Sequence, residues 1–299
     1  MAKKSFFRSQ NLQQWSLQGF FHVTSYLAPN LAARQGLELF LRPRRHRRPG
    51  WEDDLLQTHG ERIDHPGGLA VWKFGHGPKR ALLVHGWDGR GSQLGRYVPA
   101  LVEKGFEVVV FDFPAHGESA GKRTHLREWM AVLGDLSETF GGFDAVIAHS
   151  LGGTASLLAG AMEGRLKTKA YVVIGSPNYI ADIFQGFCRL VGMRGPARRR
   201  FEQKIIDQTQ IHPRRDFPTG FAAVLETPTL IVHDRDDDAV RFEHAEQLMR
   251  ALPRARLLET RGLGHRRILR SEEVREDIID FLFDVLEDRF SDVRKVANA

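Results

Sequence analysis

The sequence predicts an α/β fold: a mostly parallel central sheet with helices on both faces, extended by N-terminal helices and interrupted by a helical insertion. Three observations predict it. From about residue 50, strand-like and helix-like patterns alternate. Runs such as Ala81-Leu82-Leu83-Val84 and Val108-Val109-Val110-Phe111 are continuously apolar, as strands covered on both faces require. Two segments, residues 1–55 and 176–222, break the alternation. A chain of 299 residues can bury a sizeable core.

Residues 1–55 contain Phe20, Phe21, Tyr26, Leu27, Leu31, Leu37, Leu39, Phe40 and Leu41, too apolar for a free tail. They are expected to be helical and to pack on the core or on a second copy, with docking on a membrane surface as the alternative. The arginine knot Arg42, Arg44, Arg45, Arg47 and Arg48 ends the segment before Pro49-Gly50. The core is expected over 56–175 and 223–299. Leu69 to Phe74, after the turn His65-Pro66-Gly67-Gly68, reads as the second arm of a hairpin. After the strand ending at Val84, Leu94, Tyr97, Val98, Leu101 and Val102 recur at helical spacing. Leu126, Trp129, Met130, Leu133, Leu136 and Phe140 mark a further helix, stopped by Gly141-Gly142. Val146-Ile147-Ala148 is a short buried strand running into a small-residue helix from Leu151. Strands at Tyr171–Ile174, Leu230–Val232 and near Leu257-Leu258 continue the series, and a helix with Ile278, Phe281, Leu282 and Val285 closes it. The 176–222 insertion is far longer than an ordinary connection. Its Ile180, Ile183, Phe184, Phe187, Leu190, Val191 and Met193 fall on one helical side, which reads as a lid.

Composition narrows the classes. Hydrophobic content of 42% and charged content of 27% are ordinary for a globular protein. The single cysteine, Cys188, excludes an intrachain disulfide and a cysteine-based metal site, and fits a reducing, cytoplasmic setting. No run reaches transmembrane length. The start Met1-Ala2-Lys3-Lys4 is basic, but Gln18, His22 and Ser25 break the apolar stretch after it, against a secretory signal. The net charge of +6 gathers in the arginine knot and in Arg198-Arg199-Arg200, read as a solvated linker and a solvated helix face. Without zinc-finger spacing or an aromatic RNA-binding signature, no nucleic-acid partner is expected.

The segment that carries chemistry is Val146-Ile147-Ala148-His149-Ser150-Leu151-Gly152-Gly153. A buried strand enters a serine and leaves at once into a helix. So tight a turn strains the central residue and needs small neighbours, here Ala148 and Gly152, so that strand and helix can approach. A serine capping an ordinary helix is the plainer reading of the string alone. The string resembles the nucleophile elbow Gly-x-Ser-x-Gly of the α/β-hydrolase superfamily, with alanine for the first glycine.

Other segments resemble that family in the same order, over roughly residues 60–285. His85-Gly86-Trp87 follows the first parallel strand, where the family places an oxyanion donor. The resemblance implies that the backbone N–H groups of Trp87 and Leu151 converge on a developing oxyanion. Asp112-Phe113-Pro114-Ala115-His116-Gly117-Glu118-Ser119 resembles a family loop taken as structural. The acid-rich loop Asp234-Arg235-Asp236-Asp237-Asp238 follows a strand, and Gly262-Leu263-Gly264-His265 follows the last one. Serine, acid and histidine thus occur in the family's chain order. In relatives whose loop reads His-Gly-x-x-Asp the acid falls four after the strand-end histidine, which implies Asp237. Asp236 and Asp238 are then expected to face solvent or cap the next helix. Of thirteen histidines, His265 alone lies after the last strand in a glycine loop.

The resemblance implies a serine hydrolase: Ser150 as nucleophile, His265 as general base, Asp237 as its orienting acid, acting through an acyl-enzyme. No cofactor and no metal are implied. A carboxylic ester of small to medium acyl groups is the expected substrate, with thioesters or amides as alternatives on the same triad. His149, Phe184, Phe187 and Met193 are expected to line its pocket. Readings of other classes fare worse. A dinucleotide-dependent reductase needs a third glycine where Leu94 stands. Gly117 to Lys122 has the wrong spacing for a phosphate loop. A metal hydrolase lacks paired His-x-His or His-x-x-x-His ligands. A non-catalytic binding module would have no use for an intact Ser, Asp and His set.

Overall fold

In the computed structural model the described residues are 12–221, 225–290 and 296–297. The basic start Met1-Ala2-Lys3-Lys4 and the end of the insertion at 222 lie outside them. The strands are β1 (Glu61–His65), β2 (Leu69–Phe74), β3 (Lys79–Val84), β4 (Phe106–Asp112), β5 (Ala145–His149), β6 (Tyr171–Ile174), β7 (Thr229–Asp234), β8 (Ala255–Thr260) and the short β9 (Val296–Ala297). They form one sheet in the order β1-β2-β4-β3-β5-β6-β7-β8-β9. The β1–β2 and β2–β4 pairs are antiparallel and the others parallel.

The continuous apolar runs have a direct cause. Successive side chains leave a strand on opposite faces, so each face claims every second residue. Leu82, Val84, Val109, Phe111, Val146 and Ala148 enter one core, and Ala81, Leu83, Val108, Val110, Ala145 and Ile147 the other. The first core is covered by α5 (Leu126–Phe140), α6 (Leu151–Met162) and α9 (Glu243–Ala251). The second is covered by α3 (Gly50–His59), α4 (Val98–Glu103) and α11 (Glu272–Leu286). The His125 side chain caps α5 by accepting from Glu128 N at 3.2 Å, and Gly141 ends it at φ 73°. The helix expected from Leu94 is instead a 3-10 segment, Gly91–Tyr97, followed by the short α4. Pro99, without an N–H to give, sits at the start of α4.

Residues 1–55 divide. Helix α3 is held to the core by a buried cluster in which Glu52 accepts from Arg90 (2.5 and 2.8 Å) and from Ser92 Oγ (2.6 Å). Helices α1 (Leu12–Leu27) and α2 (Pro29–Phe40) join the insertion helices α7 (Ile180–Val191) and α8 (Gly195–Thr209) in one cap. Gln18 donates to Leu190 O at 2.9 Å and Arg194 N to Ser25 Oγ at 3.0 Å. Gly36 lets α2 approach closely, since a Cβ there would lie 2.3 Å from Met193 Cε.

The arginine knot is largely exposed, as expected of a solvated linker, but it also makes specific bonds. Arg44 donates to the two carboxylate oxygens of Asp88, from its backbone N–H at 2.7 Å and from its guanidinium Nε at 3.0 Å. Arg45 donates to the carbonyls of Ala115 (3.1 Å), Ser119 (2.6 Å) and Gly121 (3.2 Å), and Arg48 pairs with Glu118 and Asp112. The chain leaving the cap is thereby clamped to the β4 loop, with Arg48 half-buried and Arg42, Arg44, Arg45 and Arg47 exposed. A guanidinium suits this task because its five N–H groups can serve several acceptors at once.

Candidate active site

Ser150 stands between β5 and α6 at φ 55°, ψ −130°, a conformation that a residue with a side chain adopts only under strain. The surrounding backbone leaves no room to relax it. A Cβ on Gly152 would lie 2.2 Å from His85 O, and one on Gly153 would lie 2.0 Å from Ser176 Oγ. Glycine at both positions therefore lets the first turn of α6 press against the strand ends. Gly86 does the same on the other side, since its added Cβ would meet Ser150 Cβ at 2.8 Å. The backbone entering Trp87 thus passes directly beside the serine. Leu151 opens α6, so its N–H lies among those with no acceptor inside the helix.

His265 lies in the short helix α10 (Gly264–Arg267), just after β8. Its Nε2 is 3.0 Å from Ser150 Oγ and its Nδ1 is 2.7 Å from Asp237 Oδ2. The other oxygen of Asp237 accepts from the N–H groups of Ala239 and Val240, both at 2.8 Å. Burial would raise this carboxyl, but the bond from His265, its charge and the Val240 N–H outweigh burial and hold it below the usual carboxylate range. An ionised Asp237 accepts Nδ1–H and turns the Nε2 lone pair toward Ser150 Oγ, an arrangement chemically able to accept a hydroxyl proton. The three side chains form one hydrogen-bonded line.

The two neighbouring acids brace the loops. Asp234 accepts from Thr260 Oγ1 (2.7 Å), Leu263 N (3.0 Å) and Asp236 N (2.9 Å). Asp236 is exposed, as expected; it caps no helix but accepts from Gly262 N at 2.9 Å, so it ties the acid loop to the histidine loop. Helix α9 has no side-chain cap, and Asp238 is exposed. His233 donates from Nε2 to Val240 O at 2.9 Å, holding the same loop from beneath.

Two residues expected in the substrate pocket have other work. His149 is buried, donates from Nε2 to His265 O at 2.9 Å and packs its ring 4.7 Å from the His265 ring. Burial first, then the His265 charge, pushes its pKa down to about 3, so it braces His265 as a neutral ring. Met193 fills the gap at Gly36 within the cap, which its flexible thioether suits. Phe184 and Phe187 belong to an aromatic series that sequence reading left incomplete. The Trp87 ring stacks on Trp129 (5.7 Å) and on Phe40 (6.4 Å), and Phe40 meets Phe184 (5.0 Å), Phe187 (5.1 Å) and Phe201 (5.6 Å). An apolar wall runs from beside the serine into the cap. Phe40 carries no local motif; only the fold brings it to residues more than 140 positions away.

The β4 loop supports this site. Asp112 accepts from Gly91 N and Glu118 N, both at 2.8 Å. His85 accepts from Phe113 N at 2.9 Å, and His116 from Asp88 N at 3.2 Å. Each ring also donates from Nδ1 to a nearby carbonyl, of Gly86 and Pro114 respectively, which fixes both as neutral tautomers.

Sheet order, elbow and ordered side chains define an α/β hydrolase. The model of the alpha/beta hydrolase family matches residues 81–277, about two thirds of the sequence, and the chain belongs to that family. Among solved structures it is similar to an esterase of Pyrococcus furiosus, with TM-score 0.61 and 19% identity over 82% of this chain and all of that one. A monoacylglycerol lipase of Paleococcus ferrophilus gives 0.58 and 21%, over 72% of this chain and 98% of that one. An esterase of Exiguobacterium antarcticum gives 0.57 and 16%, over 75% and 99%. At these identities the likeness shows the fold. No curated protein sequence matches the chain.

Proposed function

We propose that this hydrolase cleaves carboxylic esters of small to medium acyl groups, with Ser150 as nucleophile, His265 as general base and Asp237 as its orienting acid. The observation that carries the reading is the unbroken line Asp237–His265–Ser150, at 2.7 and 3.0 Å, on a strained turn. Ser150 Oγ adds to the ester carbonyl as His265 Nε2 takes its proton. The oxyanion is received by the N–H groups of Leu151 and Trp87, a contribution of about a hundredfold or more in rate per donor. As the tetrahedral intermediate collapses, His265 returns the proton to the leaving alkoxide and the acyl group stays on Ser150. Water then adds with His265 again as base, releasing the acid and restoring the serine. The Trp87–Phe40–Phe184–Phe187 wall favours an apolar acyl group, with the cap serving as lid. Esterase and lipase names among the structural neighbours agree with an ester as substrate.

Hydrolysis of p-nitrophenyl esters of rising chain length tests the reading, with labelling of Ser150 by a fluorophosphonate. Turnover on short and medium chains, abolished in Ser150→Ala, is the expected result. Folded protein that labels but turns over no ester would move the assignment to another acyl bond. Folded protein that does not label would remove the triad.

A further inference from the structure

Among the described residues, every large apolar side chain that stands exposed lies on α1 or α2: Trp15, Phe20, Val23, Tyr26 and Leu27 on the first, Leu31 and Leu39 on the second. Helix α1 has no charged residue in its sixteen positions. Its inner side places Phe21 and Ser25 against the cap, while Trp15 (65% exposed) and Leu27 (82%) point away from it. Ser16 and His22 are also exposed there, but the large side chains of the outer side are aromatic or aliphatic. Such a concentration of exposed apolar surface marks contact with another apolar phase.

The charge on the same cap indicates which phase. Arg34, Arg189, Arg194, Arg198, Arg199 and Arg200 are exposed on the cap helices, and none has a carboxylate within 4 Å among the described residues. The acids of the same helices are already engaged: Glu38 with Arg123, Asp182 with Arg241, Glu202 with Arg214 and Asp207 with Gln203. The basic start of α8 adjoins α1 directly, since Arg194 N donates to Ser25 Oγ and Gly195 lies against the Tyr26 ring. A second copy of this chain would bring like charge to like. A nucleic acid would answer the arginines but not the exposed Trp15, Val23 and Leu27. An anionic lipid surface answers both, with phosphates for the guanidinium groups and an acyl boundary for the apolar side.

We propose that the outer face of the cap docks on an anionic lipid surface, with Trp15, Val23, Tyr26 and Leu27 entering the headgroup boundary and the α7–α8 arginines meeting lipid phosphates. The docking is peripheral: among the described residues no helix is long and apolar enough to cross a membrane. It does not depend on which bond the triad cleaves.

The test uses the full chain with vesicles of phosphatidylcholine alone and of phosphatidylcholine mixed with phosphatidylglycerol. At low salt the protein should float with the anionic vesicles about tenfold more than with neutral ones, and added salt should release it. Trp15 emission should shift to the blue on the anionic vesicles, and Trp15→Phe should remove that shift. Two paired variants, Trp15→Gln with Leu27→Gln and Arg198→Gln with Arg199→Gln, should each weaken binding about tenfold while circular dichroism stays unchanged. Equal binding to both vesicles, no binding, or an unmoved Trp15 emission would overturn the proposal. So would a dimer in solution that Trp15→Gln separates, which would assign the surface to a second copy.

Discussion

At the scale of single residues, the acid loop offers the sharpest comparison, because three adjacent aspartates differ only in what they touch. Asp237→Asn keeps the size but replaces the charged acceptor of His265 Nδ1–H, so kcat should fall by about four powers of ten. Asp236→Asn retains an oxygen for Gly262 N and should cost about tenfold at most, and Asp238→Asn should cost nothing measurable. Steady-state kinetics on one ester checks all three, and equal losses at 236 and 237 would contradict the geometry. His149→Phe keeps the ring and loses the bond to His265 O, so kcat should drop about tenfold with KM held. A rise in KM instead would return His149 to the substrate pocket. The positions of Ser150, Asp237 and His265 could be read from the sequence because each follows a strand end in a fixed order. The partners of Asp236 and His149 could not, since each is a contact between loops 26 or more residues apart.

At the scale of elements, glycine decides whether the elbow forms. Gly86→Ala brings a methyl to 2.8 Å from Ser150 Cβ, so the oxyanion loop or the serine must move, and kcat should fall about a hundredfold in folded protein. Gly152→Ala meets backbone, His85 O at 2.2 Å, and should cost stability as well; a thermal melt separates the two cases. Phe40→Ala removes the ring joining Trp87 to Phe184 and Phe187, which should move the preferred p-nitrophenyl ester toward longer acyl chains. An unchanged chain-length profile would take α2 out of the acyl site. The strands were legible because burial on both faces writes them as unbroken apolar runs. The cap was legible only in halves: α1–α2 and α7–α8 each show an apolar side, but nothing local says that the two sides meet. The arginine knot shows the same limit, since a run of cations looks alike whether solvated or donating to the carbonyls of a distant loop.

At the scale of the molecule, buried neutral histidines set how stability responds to acid. Burial is the main cause that pushes His85 down to about 4 and His116 and His149 down to about 3, and His125, His233 and His244 shift in the same direction. For His85 and His116 the bonds explain the direction as well: each uses one nitrogen as an acceptor, and a proton there would break the bond to Phe113 N or Asp88 N. In the unfolded chain these rings bind protons near the ordinary histidine value of about 6.5. Between that value and about 4 the unfolded state therefore holds more protons than the fold, and stability rises with pH. The stabilisation is full above about 6.5 and is lost as pH falls toward the folded values, by about 1.4 kcal/mol per histidine for each unit of pH. Urea midpoints measured from pH 7.5 down to 5 should fall steeply, with a slope matching three or more protons. His149→Phe removes one titrating ring and should flatten that slope by about one proton, whatever it does to stability at pH 7.5. A midpoint that stays level down to pH 5 would mean that these rings take up protons in the fold as readily as in the unfolded chain. The neutral, accepting nitrogens assigned to His85 and His116 would then have to be abandoned.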